Sequence, residues 1–574
     1  MPELIERLAG LDGLPYLNYQ ELRSQTFRLP HGLLRLVHIQ GSPGAFPASV
    51  CHLVLKTTDL NLDDRCFANP SRRIAAEDYF LRAFGNGVMA HARQNRGAQG
   101  SGSFQPLTLP PQVIERNVVR LNRAQLRIAF HISLPGADDN KILGRQAVQM
   151  FTQEVPAIVD TVAAAAARRK AVKRHCDAVE DMCHLQSRLT QLGLVAFVGD
   201  GAILPRQSGT SQTPLKKNAI VFHAPDSLAV EVALPNAGRL RGLGIRPGVN
   251  VMIGGGFHGK STLLHALAKG IYPHIPGDGR ERVATHPEAL FICAEEGRSV
   301  HGLNISGFID NLPGNVDARK FRTNNASGST SQAAAIVEAV LAGAKLLLID
   351  EDSSATNFLI KDQNMRRLVP EDTITPLFDR VRELYHRFGV STLIVVGGSS
   401  DYLGVAEHVL AMRRYLPEEV TDQLRLLVLP EPTPPEKPLV MEDNRRVTAG
   451  NFDPRYRVER LDKTLPVRIK PLRLQENILE YGDEQLDLTK LIALVDPHQV
   501  VAVGYALLLA RDEVKKHPMS PTQIAEIVCR RIEQEGLDTL SRRQSKPLFL
   551  ARPRRLELAG AINRLRSLKV DIAE

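Results

Sequence analysis

The order of apolar and polar residues changes along the chain, and this pattern predicts three folded units. Residues 33–38 and 126–132 have the apolar character of strands, and the second stretch alternates apolar and polar side chains. Residues 144–192 follow as a stretch rich in Ala, Arg and Gln, which indicates helices. We therefore expect residues 1–194 to form a mixed α+β domain.

The second predicted unit covers residues 195–429 and alternates short apolar runs with helical stretches. This alternation is typical of an α/β domain with a mostly parallel sheet. Residues 430–439 contain five prolines and interrupt regular structure, so they indicate a linker. Residues 440–574 would form a third domain that is mainly helical and basic.

Composition limits the class of protein. The chain has 574 residues, 43% of them hydrophobic and 24% charged, which is the balance of folded domains rather than of a disordered chain. No apolar run approaches the roughly 20 residues that a membrane-spanning helix needs. The N-terminus lacks a signal-peptide profile, and six cysteines in so long a chain do not indicate a disulfide framework. We expect a cytoplasmic protein with no membrane partner.

The charge of the chain raises the question of an anionic partner. Lys and Arg number 72 and Asp and Glu 63, a formal charge of +9. Residues 541–574 hold a basic group that includes Arg542, Arg543, Lys546, Arg552, Arg554 and Arg555, and an N-terminal group comprises Arg93, Arg96, Arg116, Arg120, Arg123 and Arg127. Such groups could bind the phosphates of a nucleic acid, or they could simply be solvated surface.

The clearest motif is a glycine-rich loop between a predicted strand and a predicted helix. Its pattern, G-x-x-x-x-G-K-S, is that of the P-loop, whose backbone N–H groups surround the phosphates of a nucleotide. Lys260 would pair with the β- and γ-phosphates, and Ser261 would bind Mg²⁺. The predicted nucleotide-binding residues here are Gly254, Gly255, Gly256, Phe257, His258, Gly259, Lys260, Ser261 and Thr262.

A second motif follows ninety residues later, where an apolar run ends in Asp350 and Glu351. The run predicts a buried parallel strand that delivers Asp350 to the Mg²⁺ ion. Glu351 follows directly and is placed to polarise a water molecule as a general base. Together the two motifs predict hydrolysis of a nucleoside triphosphate with Mg²⁺, with Lys260 and Glu351 as the catalytic residues.

Two further stretches carry a family resemblance. Residues 350–357, DEDSSATN, are similar to the run of ABC ATPases that ends in the D-loop. Residues 326–332, ASGSTSQ, resemble a degenerate ABC signature, and Ser327 precedes Asp350 by the interval usual in that class. With the P-loop, these stretches closely resemble the family called predicted ATPases of the ABC class. The resemblance implies an α/β P-loop core of ABC type.

In ABC proteins the signature of one subunit closes the P-loop site of the other. The resemblance therefore implies a homodimer in which Ser327, Gly328 and Ser329 contact the γ-phosphate held by the partner. About 30 residues separate Glu296 from Ser327, so the helical subdomain that ABC transporters press against membrane domains would be severely trimmed. This argues against a transporter.

The sequence also departs from the family pattern. The switch histidine is absent, and Ser399 and Asp401 are the candidates to replace it. No aromatic residue lies about 25 positions before Lys260, so the preference for a base is open. The glutamine of the Q-loop is missing. Residues 294–298 either supply a carboxylate there or form an ordinary solvated turn.

These observations predict an ATP-dependent homodimer that hydrolyses ATP and thereby opens and closes a basic surface. RNA or DNA is the expected partner of that surface. A nucleotide-gated scaffold that binds protein instead is the first alternative. A small-molecule kinase is the second, and the signature and D-loop resemblance argues against it.

Overall fold

The computed structural model describes residues 2–45, 48–93, 96–209, 211–361, 368, 372–398, 400–427, 429, 431–433, 437–448, 470–473, 477–482, 484–541 and 549–572. The chain divides into two compact units. The first comprises Met1–Glu180 and Ser541–Leu550, and the second comprises Asp181–Leu540 and Ala551–Glu574.

The first unit is built on an antiparallel sheet of six strands. In chain order these are β1 (Thr26–Leu29), β2 (Gly32–His38), β3 (Ser49–Lys56), β4 (Ser103–Phe104), β5 (Val119–Leu121) and β6 (Gln125–Ser133). They pair in the order β1-β2-β3-β6-β4, and β5 also pairs with β6. The strands predicted at 33–38 and 126–132 are confirmed by β2 and β6. Leu126, Ile128 and Ile132 are buried in the core, as the alternation indicates.

Helices accompany this sheet: α1 (Pro2–Gly10), α2 (Thr57–Leu60), α3 (Pro70–His91), α4 (Gly144–Gln149), α5 (Val155–Ala167) and α6 (Arg169–Arg188). The start of α3 follows from two residues. The Asn69 side chain accepts a hydrogen bond from the Arg72 backbone N–H at 2.9 Å, and Pro70 takes the first helical position. The helices predicted over residues 144–192 are confirmed by α4, α5 and α6.

Two of the arginines that we assigned to a basic surface point into the first unit. Arg116 has only 2% of its side chain exposed and pairs with buried Asp78 at 3.3 Å. Arg96 is also buried and forms an ion pair with Glu154. The surface prediction is therefore wrong for Arg96 and Arg116. Each guanidinium is buried and pairs with a carboxylate, which offsets the free-energy cost of burying its charge.

A short C-terminal segment belongs to the first unit, which the sequence did not predict. The Leu550 backbone N–H donates to the Asn117 side chain at 2.9 Å, and the Asn117 backbone N–H donates to the Leu550 carbonyl at 3.1 Å. The Phe549 ring stacks on His131 with 4.0 Å between ring centres. Arg542, Arg543 and Lys546 of our predicted basic group lie outside the described residues.

The second unit contains two larger sheets and a two-stranded ribbon. Their strands are β7 (Ala196–Gly199), β8 (Ala229–Leu234), β9 (Gly238–Ile245), β10 (Val249–Ile253), β11 (Val283–Thr285), β12 (Ala289–Ile292), β13 (Val300–Leu303), β14 (Phe321–Thr323), β15 (Leu346–Asp350), β16 (Ser391–Val395), β17 (His408–Arg413) and β18 (Leu416–Glu419). One sheet has the order β12-β15-β16-β10-β17-β18, and the other is β11-β7-β9-β8.

The six-stranded sheet is parallel except for its edge strand. β12, β15, β16, β10 and β17 run in one direction, and β18 returns antiparallel to β17. All five residues of β15 are buried, as expected for a strand covered on both faces. The predicted parallel α/β sheet is confirmed. At its carboxyl edge, β10 leads into the P-loop and β15 ends in Asp350.

Seven helices of this unit follow among the described residues: α7 (Lys260–Lys269), α8 (Gly328–Leu341), α9 (Thr356–Leu359), α10 (Leu377–Phe388), α11 (Pro497–Val514), α12 (Pro521–Glu535) and α13 (Arg555–Arg564). Between Gly297 and Ser327 the structure has the β13–β14 ribbon and short 3₁₀ turns, with no α-helix in the described chain. The segment that would hold a transporter's helical subdomain is thus an antiparallel ribbon.

The C-terminal part joins this unit through five short strands and three helices. The strands are β19 (Arg445–Val447), β20 (Lys470–Arg473), β21 (Ile478–Tyr481), β22 (Glu484–Asp487) and β23 (Val570–Ile572). β19 pairs with β23, and β20, β21 and β22 form a three-stranded sheet. No helix among the described residues is long and apolar enough to cross a membrane.

A buried histidine of the β13 strand makes stability depend on pH. Burial lowers the pKa of His301 to about 4, and the nearby Arg445 and Arg298 act in the same direction. Between pH 6.5 and 4 the unfolded chain binds a proton that the folded chain does not, so stability falls as pH falls. The loss amounts to about 3 kcal/mol at pH 4.

Urea unfolding of the wild type and of His301→Gln at pH 6 and pH 5 measures this contribution. We expect the wild type to lose about 1 kcal/mol more than the variant between these two values. Equal losses in both proteins would show that His301 does not titrate as its burial indicates.

Candidate functional site

The glycine-rich loop leads from β10 directly into α7. Gly254 has φ +146° and Gly259 has φ +94°, conformations that side chains rarely adopt. A Cβ atom at Gly254 would lie 2.6 Å from the Met412 carbonyl, and one at Gly259 would lie 2.7 Å from the Tyr415 ring. Both glycines are therefore required by backbone conformation and by close packing.

Lys260 is the first residue of α7 and folds back over the loop. Its Nζ atom donates to the carbonyls of Gly254 at 2.5 Å and Gly255 at 3.1 Å. Ser261 and Thr262 follow in the first turn of the helix, whose positive end faces the loop. Among the described residues none forms a hydrogen bond with the Ser261 hydroxyl, so that oxygen is free to bind a ligand.

The turn between β17 and β18 supports the loop from one side. The Tyr415 backbone N–H donates to the His258 carbonyl at 3.0 Å. His258 Nδ1 lies 3.2 Å from the Met412 carbonyl, so the imidazole faces this hairpin. This contact gives His258 a role in shaping the loop.

The acidic pair lies at the same edge of the sheet as the loop. Asp350 at the end of β15 is in register with Val395 of β16, and Val395 is in register with Met252 of β10. Asp350 is 6% exposed. Its position is therefore two strands from the end of the β10 strand, or about 10 Å across the sheet.

Glu351 is held by backbone N–H groups that we did not anticipate. Its Oε2 atom accepts hydrogen bonds from Gly397 at 2.6 Å and from Gly398 at 3.4 Å. These glycines follow β16, where the switch histidine of ABC proteins would be. Ser399, one candidate to replace that histidine, lies outside the described residues, and Asp401 begins a 3₁₀ turn, Asp401–Gly404.

The signature-like stretch forms the first turn of α8. Ser327 caps the helix and is exposed, whereas Ser329 is only 7% exposed. The Ser329 hydroxyl donates to the Asn357 side chain at 2.7 Å. Gly328 begins the helix beside Ala355. Ser327, Gly328 and Ser329 are predicted to contact the partner's γ-phosphate. Of these residues, only Ser327 is exposed.

The same helix holds the segment that follows Glu351. Gln332 donates from Nε2 to the Ser354 hydroxyl at 2.9 Å and accepts from the Ala355 backbone N–H at 2.9 Å. With the Ser329–Asn357 bond, these contacts fasten residues 354–357 to α8. The D-loop-like segment is thus bonded directly to the helix that begins at the signature-like stretch.

Residues 294–298 connect the site to the C-terminal helix α13. Glu295 pairs with Arg564 at 2.8 Å, and its backbone N–H donates to the Ser331 hydroxyl at 2.9 Å. Arg566 donates to the carbonyl of Gly297 at 2.8 Å and to that of Asn324 at 2.7 Å. Sequence reasoning missed the contacts of Arg564 and Arg566 because their partners lie more than 240 residues away in the chain.

Family models match most of the chain. A model described as a P-loop domain, ABC_ATPase, matches residues 168–443. A second, described as the N-terminal domain of the ATPase of the ABC class, matches residues 1–165. The chain belongs to the ATPases of the ABC class. A third model, the MRB1590 C-terminal domain, matches residues 474–571 of this ABC-class ATPase.

The ATPase also resembles individual proteins. It is 30% identical over 228 residues to the uncharacterized protein MJ1628 of Methanocaldococcus jannaschii, which covers 38% of this chain and 50% of that one. The chain thus matches about half the length of this curated relative. A solved structure, the ADP conformation of MJ1267, an ATP-binding cassette of an ABC transporter, is similar over 32% of this chain and 86% of its own, with 12% identity and a TM-score of 0.22.

Family membership and the observed elements confirm the predicted family and the predicted fold class. The core is an α/β P-loop domain of ABC type, preceded by a mixed α+β domain and followed by a mainly helical region. The family match supports an ATP-binding P-loop ATPase of the ABC class.

Proposed function

We propose that this ATPase works as an ATP-dependent homodimer whose hydrolysis cycle controls the binding of RNA or DNA to a basic surface. The observation that carries the proposal is the set of hydrogen bonds joining α8 to residues 354–357. Because these residues begin three positions after Glu351, a change at the hydrolytic centre would reach the helix end that bears Ser327.

The residues at the sheet edge suit Mg²⁺ and the nucleotide phosphates. Ser261 has an unused hydroxyl, and Asp350 supplies a buried carboxylate, which are the oxygen ligands that Mg²⁺ takes in P-loop proteins. Mg²⁺ would neutralise phosphate charge when bound. Lys260 would exchange its carbonyl partners for the β- and γ-phosphates, and the loop N–H groups would hold the same oxygens.

Glu351 would act as the general base. Two backbone N–H donors at Gly397 and Gly398 hold one carboxylate oxygen, which leaves the other free to accept a proton from water. These glycines thus orient the base from the place where the family's switch histidine stands. We assign Lys260 and Glu351 as the catalytic residues.

The second copy would complete each site. Ser327 is exposed at the N-terminal end of α8, where a helix attracts an anion. In the dimer, Ser327 and the N–H groups of Gly328 and Ser329 would meet the γ-phosphate held by the partner. ATP would then join the copies, and hydrolysis would release them.

The basic surface that we favour differs from the one the sequence indicated. Arg168, Arg169, Lys170 and Arg174 are exposed around the start of α6, and none forms an ion pair with a described residue. Leu185 and Leu189, which belong to the second unit, lie in a hydrophobic core with Phe197. Unpaired cations on an exposed helix suit contact with phosphates.

The described cysteines are thiols rather than disulfides, which suits the reducing cytoplasm as the site of this cycle.

The test uses the Glu351→Gln protein with Mg²⁺ and ATP. Its mass is measured by light scattering with and without ATP, and its affinity for labelled RNA, single-stranded DNA and duplex DNA is measured from about 50 to 200 mM salt. We expect a dimer with ATP, tighter binding of one polymer in that state, and a steep loss of affinity with salt.

A triple variant, Arg169→Gln, Lys170→Gln and Arg174→Gln, tests the surface itself. It should flatten the slope of log affinity against log salt by roughly 0.7 to 0.9 for each phosphate that the variant no longer neutralises. The matched control neutralises three cations that are already paired. They are Lys515, Lys516 and Arg530, which pair with Asp512, Glu513 and Glu526, and we expect their loss to leave the slope unchanged. A protein that dimerises with ATP but binds none of the three polymers would refute the proposed nucleic-acid binding and favour a protein partner.

A further inference from the structure

Exposed aromatic side chains are confined to one place in the described part of the chain. Every described Phe and Tyr is buried or half-buried except Phe257, which is 97% exposed, and Tyr415, which is 40% exposed. Phe257 lies within the P-loop. Tyr415 lies in the turn between β17 and β18 that supports it.

Tyr415 is in direct contact with the phosphate loop. Its backbone N–H donates to the His258 carbonyl, and its ring covers Gly259 so closely that no Cβ atom would fit there. Phe257 precedes His258 in the loop. Both aromatic groups are thus placed beside the end of the loop from which α7 begins.

Both side chains stand on backbone that favours glycine. Phe257 has φ +62°, and the turn residues Arg414 and Tyr415 have φ +49° and +69°. Two-residue hairpin turns of this kind favour Asn-Gly or Gly-Gly. An exposed aromatic residue in such a position contributes little to folding, and strained positions of this type cluster at ligand sites.

The family resemblance places an aromatic residue that stacks on the base in the segment before the P-loop. The described residues of that segment include no exposed aromatic side chain. Of the described residues between β7 and the start of the loop, the aromatic ones are Phe197 and Phe222, and both are buried. The described part of this segment therefore offers no exposed aromatic side chain to the base of a nucleotide bound at the P-loop.

We propose that Tyr415 stacks on the base of the bound nucleotide and that Phe257 contacts its other face. This inference rests on nucleotide binding at the proposed phosphate site and adds the residues that select the base. Because stacking strength grows with ring area, the pair favours purine over pyrimidine nucleoside triphosphates.

Calorimetry with two ligands separates base contact from support of the loop. Inorganic tripolyphosphate has the phosphate chain of ATP but no base, so it reports the phosphate site alone. We expect Tyr415→Ala to weaken Mg²⁺-ATP binding roughly 5- to 100-fold and to leave tripolyphosphate affinity within about two-fold. Tyr415→Phe should bind ATP almost as the wild type does, and Phe257→Ala should show a smaller loss confined to ATP.

The matched control is Arg413→Ala. Arg413 lies in the same hairpin and pairs with Glu418 at 3.1 Å, so its loss should change neither affinity. Parallel loss of both ligands in Tyr415→Ala would overturn the proposal, because the hairpin would then only support the loop. If Phe257→Ala abolished the ATP dimer with unchanged ATP affinity, the role of Phe257 as a base contact would be refuted. A wild type that binds neither ligand would refute the phosphate site itself.

Discussion

Replacing Glu351 with Gln is expected to lower ATP turnover by roughly 10²- to 10⁴-fold, the usual contribution of a general base. The amide cannot take a proton from water, yet it preserves the shape of the side chain. Its oxygen can still accept the hydrogen bonds from Gly397 and Gly398, so the geometry of the site is retained. ATP affinity should therefore stay close to that of the wild type. Phosphate release under saturating ATP measures the effect.

Asp352→Asn is the matched control for this prediction. Asp352 is the next residue, is exposed and also carries one negative charge, so its variant removes the same charge without removing the proposed base. We expect its turnover to remain within about three-fold of the wild type, because exposed charges act weakly through solvent. Comparable losses in both variants would assign the effect to local charge and remove Glu351 from its role.

Arg564→Ala is expected to destabilise the second unit by about 3 to 5 kcal/mol, the usual result of breaking a buried ion pair from one side. The Arg564 side chain is 8% exposed and that of Glu295 is 15% exposed. Truncation leaves the Glu295 carboxylate poorly solvated and without its cation. Urea unfolding at pH 7 measures the loss.

An exposed pair of the same chemistry supplies the control. Arg530 and Glu526 lie one turn apart on α12 and are 58% and 48% exposed. Such a pair contributes about 0.3 to 0.5 kcal/mol, so Arg530→Ala should change stability by no more than that. The double variant Arg564→Ala with Glu295→Ala should recover part of the loss, since no unpaired carboxylate remains. A loss below about 1 kcal/mol in Arg564→Ala would show that the pair is not buried in solution.

The same pair connects the C-terminal helix α13 to α8, the helix that begins at the signature-like stretch. The Glu295 carboxylate pairs with Arg564 of α13, and the Glu295 backbone N–H donates to the Ser331 hydroxyl of α8. Arg566 also donates to the carbonyl of Asn324, just before the signature-like stretch, and to that of Gly297. These contacts link the C-terminal region to the helix that we expect to meet the partner's nucleotide.

Local sequence determined the central part of this protein. The P-loop needs a strand, glycines at defined positions and a helix, all within sixteen residues, so its chemistry can be recognised from order alone. The apolar run before Asp350 and Glu351 likewise predicts the position of this acidic pair. The parallel sheet follows from the same alternation, because runs buried on both faces require covering helices.

Only the tertiary structure decided which charges are available and what surrounds the loop. Arg96 and Arg116 read as surface residues in sequence, yet each lies buried against a carboxylate from a distant element. The glycines that hold Glu351, the turn that brings Tyr415 to the P-loop and the pairing of Arg564 with Glu295 depend on long-range packing. Local patterns report which residues are apolar or charged, but a partner across the chain is chosen by the fold.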